Sequence, residues 1–174
     1  MSRLLSPPTS TLNAMKKSYT DAAPAMKTTR YFAFGSNLDQ EQMRARCPSA
    51  KLLGPAVLPG HALAFAGYSQ RWGGAVATAV ERRGARLQGV LYALDPDEIS
   101  ALDRLEGCPF AYERVVKTVT DPSGRKRRAS LYLQPDAEPD VWSPPLRYFF
   151  LIWRAYERFG FDRRSLAVAA RLVP

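Results

Sequence analysis

The chain has 174 residues, 46% of them hydrophobic and 11% aromatic, and a formal net charge of +9. That length suffices for one domain with a real core, and no break in composition divides it. Two cysteines are too few for a disulfide framework, and the single histidine, His61, argues against a zinc site or a Ser-His-Asp triad.

Residues 1–29 hold Pro7, Pro8 and Pro24, several Ser and Thr, and no sustained hydrophobic period. They are expected to be a disordered extension ahead of a domain over residues 30–174. The extension is basic, with Arg3, Lys16, Lys17 and Lys27 against Asp21, and Met15 and Met26 leave the biological start open. A transit peptide is the alternative to a floppy tail. No apolar signal-peptide core precedes Tyr31, so the cytoplasm is the expected location.

The next stretch, YFAFGSNL over residues 31–38, joins two signals. Its aromatic start predicts a short buried strand, and Gly35, Ser36 and Asn37 suit a tight turn with exposed backbone amides. Residues 39–47 follow as a short helix stopped by Pro48. Strand, glycine turn and helix start form a natural anion cradle, although an ordinary strand-to-helix loop has the same pattern.

Four strand-like runs come next, over residues 52–58, 62–68, 75–80 and 87–93, separated by Pro59-Gly60, Gly73-Gly74 and Arg83-Gly84. After a helix over residues 96–105, two further strands over 112–119 and 129–133 are joined through Asp121-Pro122-Ser123-Gly124. The C-terminal quarter is helical, with a break near Gly160. Strands in succession with few helices between them predict an α+β fold, a small, mainly antiparallel curled sheet or barrel with a few flanking helices. The basic run at residues 125–128 falls at a hairpin tip, so nucleic acid is not the expected partner. The apolar run at 148–153 is too short to span a bilayer and predicts a buried helix.

The segment LDPDEISALDRLEG, residues 94–107, carries the sharpest local signal. Asp95 is placed to cap, Pro96 to open the helix, Glu98 to complete a capping box and Gly107 to end it. Ile99 and Leu102 mark the apolar face, and Glu106 falls on the same face at the helix end. A carboxylate aimed inward is costly unless it is paired, protonated or used, and removal from water favours its protonated form. General acid–base work is one reading; a fraying last turn, or a pair with an arginine such as Arg114, is the other. Asp103, near the same face, is expected to be solvated. Ser36 has no neighbouring base and Cys108 reads as a small hydrophobe. Tyr112, Tyr132, Tyr148 and Tyr156 each offer a phenol to a pocket or to the core. His61 is expected to be structural.

Taken together, these stretches resemble the γ-glutamylcyclotransferase-like family, which includes γ-glutamylamine cyclotransferases and plant avirulence-induced proteins. The residues carrying the resemblance are Phe34-Gly35-Ser36-Asn37-Leu38, then Gly74-Ala75-Val76-Ala77-Thr78, then Gly89-Val90-Leu91-Tyr92. Leu102-Asp103-Arg104-Leu105-Glu106-Gly107 follows, then Tyr112, and Tyr148 after Pro144-Pro145. The resemblance implies a barrel-like α+β fold and cyclisation of a γ-glutamyl amide to 5-oxoproline with release of an amine or amino acid. It implies Glu106 as general acid/base. It also implies Tyr31, Phe32, Ala33, Phe34, Gly35, Ser36 and Asn37 lining a substrate cradle, with Tyr112 and Tyr148 as further substrate contacts. The implied partner is a small γ-glutamyl compound, not a membrane. Ring closure is intramolecular, so a tuned carboxylate and amide donors suffice, with no metal, cofactor or covalent nucleophile. Phe34 stands where the family often has tyrosine, which keeps open a non-catalytic small-molecule binding module of the same fold. The loop also lacks the form seen in the glutathione-specific branch.

Overall fold

A computed structural model describes residues 28–135, 137, 139 and 142–172. The expected N-terminal extension, up to residue 27, lies outside the described residues. Five strands run in chain order as β1 (Thr29–Ala33), β2 (Lys51–Ser69), β3 (Gly74–Leu94), β4 (Glu113–Thr120) and β5 (Lys126–Leu133). The helices are α1 (Gln40–Arg46), α2 (Pro96–Leu105), α3 (Leu146–Phe159) and α4 (Arg163–Ala169), and a single 3-10 turn, Ser36–Leu38, follows β1. The strands close into a barrel in the order β1-β3-β2-β4-β5. All neighbours are antiparallel except β1 and β5, which meet in parallel at Tyr31 and Ser130. This is the expected α+β class.

One expectation needs correction. The four runs between residues 52 and 93 are two long strands, because Pro59-Gly60 and Arg83-Gly84 bend the ribbon without ending it. The β2–β3 register passes from Pro59 opposite Arg86 to His61 opposite Glu81, so residues 82–85 bulge against Gly60 alone. Gly60 (φ 71°) and Gly84 (φ 79°) take the left-handed backbone that this excursion requires. Pro59, which has no N–H to give a ladder, is tolerated beside the bulge. A bulge raises local twist, and the twist lets one hairpin curl far enough to close the barrel.

The helix ends follow from local chemistry. Asp39 accepts from the Gln42 N–H at 2.8 Å and opens α1. The Glu98 carboxylate reaches back to the Asp95 N–H at 3.4 Å, and both acids also tie down Ser49 in the loop after α1. The start of α2 is thereby fixed against the end of α1. Gly107 (φ 68°) ends α2. On α3, Tyr148, Phe149, Ile152 and Tyr156 are buried while Phe150 is exposed, so the helix is amphipathic rather than buried all round. Among the described residues no helix is long and apolar enough to cross a membrane. At the β4–β5 turn Asp121 pairs with Arg125 (3.4 Å) and Arg127 (3.3 Å), so the basic run does sit at a hairpin tip.

Candidate active site

The turn after β1 and the end of α2 come together at one end of the barrel. Asn37 is the hub between them. Its Nδ2 donates to the Tyr31 hydroxyl (2.8 Å) and to Glu106 Oε1 (3.1 Å), and its Oδ1 accepts from Arg46 Nη1 (2.8 Å) and Gln42 Nε2 (3.3 Å). Arg46 Nη1 also meets Glu106 Oε1 at 2.7 Å, with the two side chains only 9% and 17% exposed. Both bonds to Glu106 fall on Oε1. Oε2 has no partner among the described residues, and neither does the proton of the Tyr31 hydroxyl.

A second wall is built from tyrosines on the edge of β3. The Tyr148 hydroxyl accepts from the Ala77 N–H (3.0 Å), and the Tyr112 hydroxyl donates to the Ala77 carbonyl (3.0 Å). Gln134 Nε2 holds Tyr112 at 3.1 Å and the Ala66 carbonyl at 3.2 Å. Gly35 brings the turn close: a Cβ there would lie 3.0 Å from Ala77 Cβ. Behind these, the Tyr132 hydroxyl donates to Asp103 Oδ1 at 2.8 Å, and Arg114 pairs with the same carboxylate at 3.3 Å. Asp103 is therefore engaged rather than solvated, and Arg114 serves it, not Glu106.

These groups surround a recess of about 30 Å³ lined by Tyr31, Phe34, Gly35, Ser36, Asn37, Ala77, Glu106, Tyr112, Tyr132 and Tyr148. Four of those residues, Ser36, Glu106, Tyr112 and Tyr148, also line a groove of about 700 Å³ that opens outward. Its mouth carries aromatic rings: Trp142 packs edge-on against Tyr68 at 5.1 Å, and Trp72 lies 4.8 Å from the Tyr148 ring. Arg71 and Arg147 cover Trp72, at 5.7 Å and 5.2 Å from its centroid. Burial pushes the Tyr148 phenol up to about 12, Glu106 adding to the effect while the Ala77 N–H opposes it. Tyr31 is raised further and Tyr112 well above its ordinary value, again chiefly by burial. The recess phenols are thus neutral hydrogen-bonding groups at ordinary pH.

Most residues expected at the cradle are here, but two are not. Phe32 and Ala33 do not line the recess or the groove, which corrects the expectation that all of residues 31–37 do. Both are spent on crossing β3, where a Cβ on Gly89 would meet the Ala33 carbonyl oxygen at 2.4 Å and the Phe32 ring at 2.6 Å. The sequence reading missed Arg46, Gln134 and the aromatic mouth. Arg46 had a signal, since it lies three residues beyond the buried Met43 on α1 and so shares its inward face. Gln134 and the mouth had none, being assembled from distant segments. Among the described residues no cluster of three or more His, Cys, Asp or Glu side chains is arranged to hold a metal ion.

The structure thus sets the turn after β1 and an inward carboxylate around one recess at the end of a small closed barrel. The family model described as "Gamma-glutamyl cyclotransferase, AIG2-like" matches residues 31–148. The chain belongs to that family. It is 32% identical to gamma-glutamylcyclotransferase of Mus musculus over 123 residues, 68% of this chain and 65% of the mouse protein. With the Homo sapiens gamma-glutamylcyclotransferase it shares 30% identity over 126 residues, 70% of this chain and 67% of the human one. The chain thus spans about two thirds of the length of the relatives it matches. A solved structure described as "Gamma-glutamyl cyclotransferase" superposes with a TM-score of 0.75 at 26% identity, covering 82% of this chain and 86% of that one.

Proposed function

We propose that this chain cyclises a γ-glutamyl amide to 5-oxoproline and releases the amine or amino acid, with Glu106 as general acid/base. The observation that carries this reading is that Glu106 is held through Oε1 by Arg46 and Asn37 at the wall of a cavity, leaving Oε2 uncommitted. The recess, at about 30 Å³, is too small for a glutamyl unit alone, so the substrate lies along the groove with its reacting end at the recess.

Oε2 takes a proton from the substrate α-ammonium. The freed amine attacks its own γ-carbonyl carbon and forms the five-membered ring. Charge developing on the carbonyl oxygen is met by the Tyr31 hydroxyl proton and the turn at residues 35–37. The tetrahedral intermediate collapses as the old C–N bond breaks, Glu106 returns its proton to the departing nitrogen, and the ring nitrogen gives up its second proton to the released amine. The products are 5-oxoproline and a free amine, and no group on the protein changes covalently. Proximity is built into the substrate, so the site needs only to select its folded conformer and move one proton. The leaving group extends outward, past Trp72 towards Tyr68 and Trp142.

Release of 5-oxoproline from a panel of γ-glutamyl amino acids and amines, by wild type and Glu106→Gln, tests the reading. Wild type is expected to turn over at least one member and the variant none, the variant keeping its native circular dichroism but unfolding at a lower temperature because Arg46 loses its charged partner. Equal turnover by both would remove Glu106 from the mechanism. Thermal stabilisation by a γ-glutamyl compound with no product at high enzyme concentration would instead make the chain a binding module.

A further inference from the structure

A second groove, of about 670 Å³, lies on another part of the barrel and shares no lining residue with the first. We infer that it is a binding site for a small organic phosphate of nucleotide size.

Its charge is one-sided. Arg82 and Arg83 stand on the four-residue bulge of β3, Arg86 follows where the ladder resumes, and Arg164 faces them from α4. None of these four forms an ion pair among the described residues, so no carboxylate neutralises their charge at short range. Arg171 also lines the groove. Among the described residues the one carboxylate in its lining is Asp162, which accepts from the Arg164 N–H at 3.0 Å. Guanidinium groups gathered around a concave surface repel one another and focus a positive potential into it. Their planar donor forks match phosphate oxygens.

His61 supplies an independent sign. It lines the same groove, is 7% exposed, and turns Nδ1 to the Pro59 carbonyl at 3.0 Å. Its Nε2 is buried and has no hydrogen-bond partner among the described residues. A buried polar atom left unmatched costs stability until a water or a ligand group reaches it, and Arg46 Nε and the Tyr92 hydroxyl are in the same state. The bulge that carries Arg82 and Arg83 spans the gap between the Pro59 and His61 pairings, so strand irregularity, orphan imidazole and unpaired arginines coincide.

The groove is not purely ionic. Leu63 and Val168 give it apolar walls, and its volume is that of a small-molecule site rather than a strip along which a polymer tracks. Charge and apolar surface together select a phosphate ester bearing an organic body. This site is independent of the cyclisation reading.

Isothermal titration of the full chain with ATP at low ionic strength tests it. ATP is expected to bind, about tenfold or more weakly once Arg83→Glu and Arg86→Glu are combined. The pair Arg125→Glu and Arg128→Glu at the hairpin tip, which changes net charge equally, should leave affinity near wild type. Glu106→Gln should leave it unchanged. Absence of ATP binding, equal loss from both charge reversals, or loss in Glu106→Gln would each overturn the proposal. Tripolyphosphate binding as tightly as ATP would also overturn it, because the apolar walls would then contribute nothing. So would a single-stranded RNA that bound more tightly than ATP and was weakened equally by both reversals, which would mark a diffuse polyanion surface.

Discussion

Arg46 and Glu106 stand 60 residues apart in sequence and meet at 2.7 Å, each largely withdrawn from water. Arg46 comes from the last turn of α1 and Glu106 from the cap of α2, two helices whose ends are also tied through Ser49. The proposed base is therefore aimed by a helix that carries none of the other implied site residues.

Removing the guanidinium should misplace the carboxylate without removing it. Arg46→Met is expected to lower 5-oxoproline release by about 10²-fold, the scale of loss from small misplacement of a reacting group. Breaking a largely buried pair from one side should also cost about 2–3 kcal/mol in urea unfolding, a little less than for a fully buried one because Glu106 keeps some solvent contact. Adding Glu106→Gln to that variant should return part of the stability, as a double-mutant cycle would show. Full turnover in Arg46→Met would mean that Asn37 alone positions the base.

Tyr148→Phe should loosen the edge of β3. The Ala77 N–H loses its acceptor in a buried setting, a change worth about 1–3 kcal/mol. Native-state hydrogen exchange should show the Ala77 amide exchanging faster while the amides of β4 and β5 keep their protection. An unchanged Ala77 rate would show that the phenol does not hold that edge.

Gly89→Ala tests the crossing of β1 over β3. The new methyl would overlap the Ala33 carbonyl and the Phe32 ring, and one of these contacts is with backbone that cannot swing away. A loss of about 3 kcal/mol or more is expected, seen as a fall in Tm of about 6–12 °C. An unaltered Tm would place the two strands further apart than described.

Base should unfold the chain over a narrow range. Burial lifts Tyr148 and Tyr92 from their ordinary value of 10.0 to about 12, Tyr31, Tyr132 and Tyr156 higher still, and Tyr112 well above its ordinary value. A phenol whose folded value is raised contributes stability that is complete below the ordinary value and is lost as pH climbs towards the folded one. Stability should fall steeply above about pH 10, and the tyrosinate absorbance of these six should appear together with loss of circular dichroism. Titration of all six near their ordinary value with the fold intact would contradict their burial.

What the sequence disclosed, it disclosed through local rules. Asp39, Asp95, Pro96 and Gly107 mark helix ends by chemistry that acts within a turn, and the inward aim of Glu106 follows from its spacing to Ile99 and Leu102. What it concealed depends on closure of the barrel. Pro59-Gly60 and Arg83-Gly84 carry the residues of a turn, and only the pairing of two long strands makes them bends. Likewise Arg114 was as reasonable a partner for Glu106 as Arg46, because sequence does not show which arginine the fold carries to which acid. Phe34, read as the loss of a hydroxyl, lies in a recess that gathers Tyr31 from its own stretch and three tyrosines, Tyr112, Tyr132 and Tyr148, from elsewhere in the chain.

The two phenols on Ala77 satisfy both backbone polar groups of a strand edge that would otherwise be open to pairing with another chain. Tyr112 and Tyr148 therefore cannot be exchanged to suit a different substrate without unsealing the sheet. Tyr68, Trp72 and Trp142 carry no such duty through their rings. A change of substrate preference therefore has its room at the mouth, whereas a change on the inner wall would reopen the β3 edge.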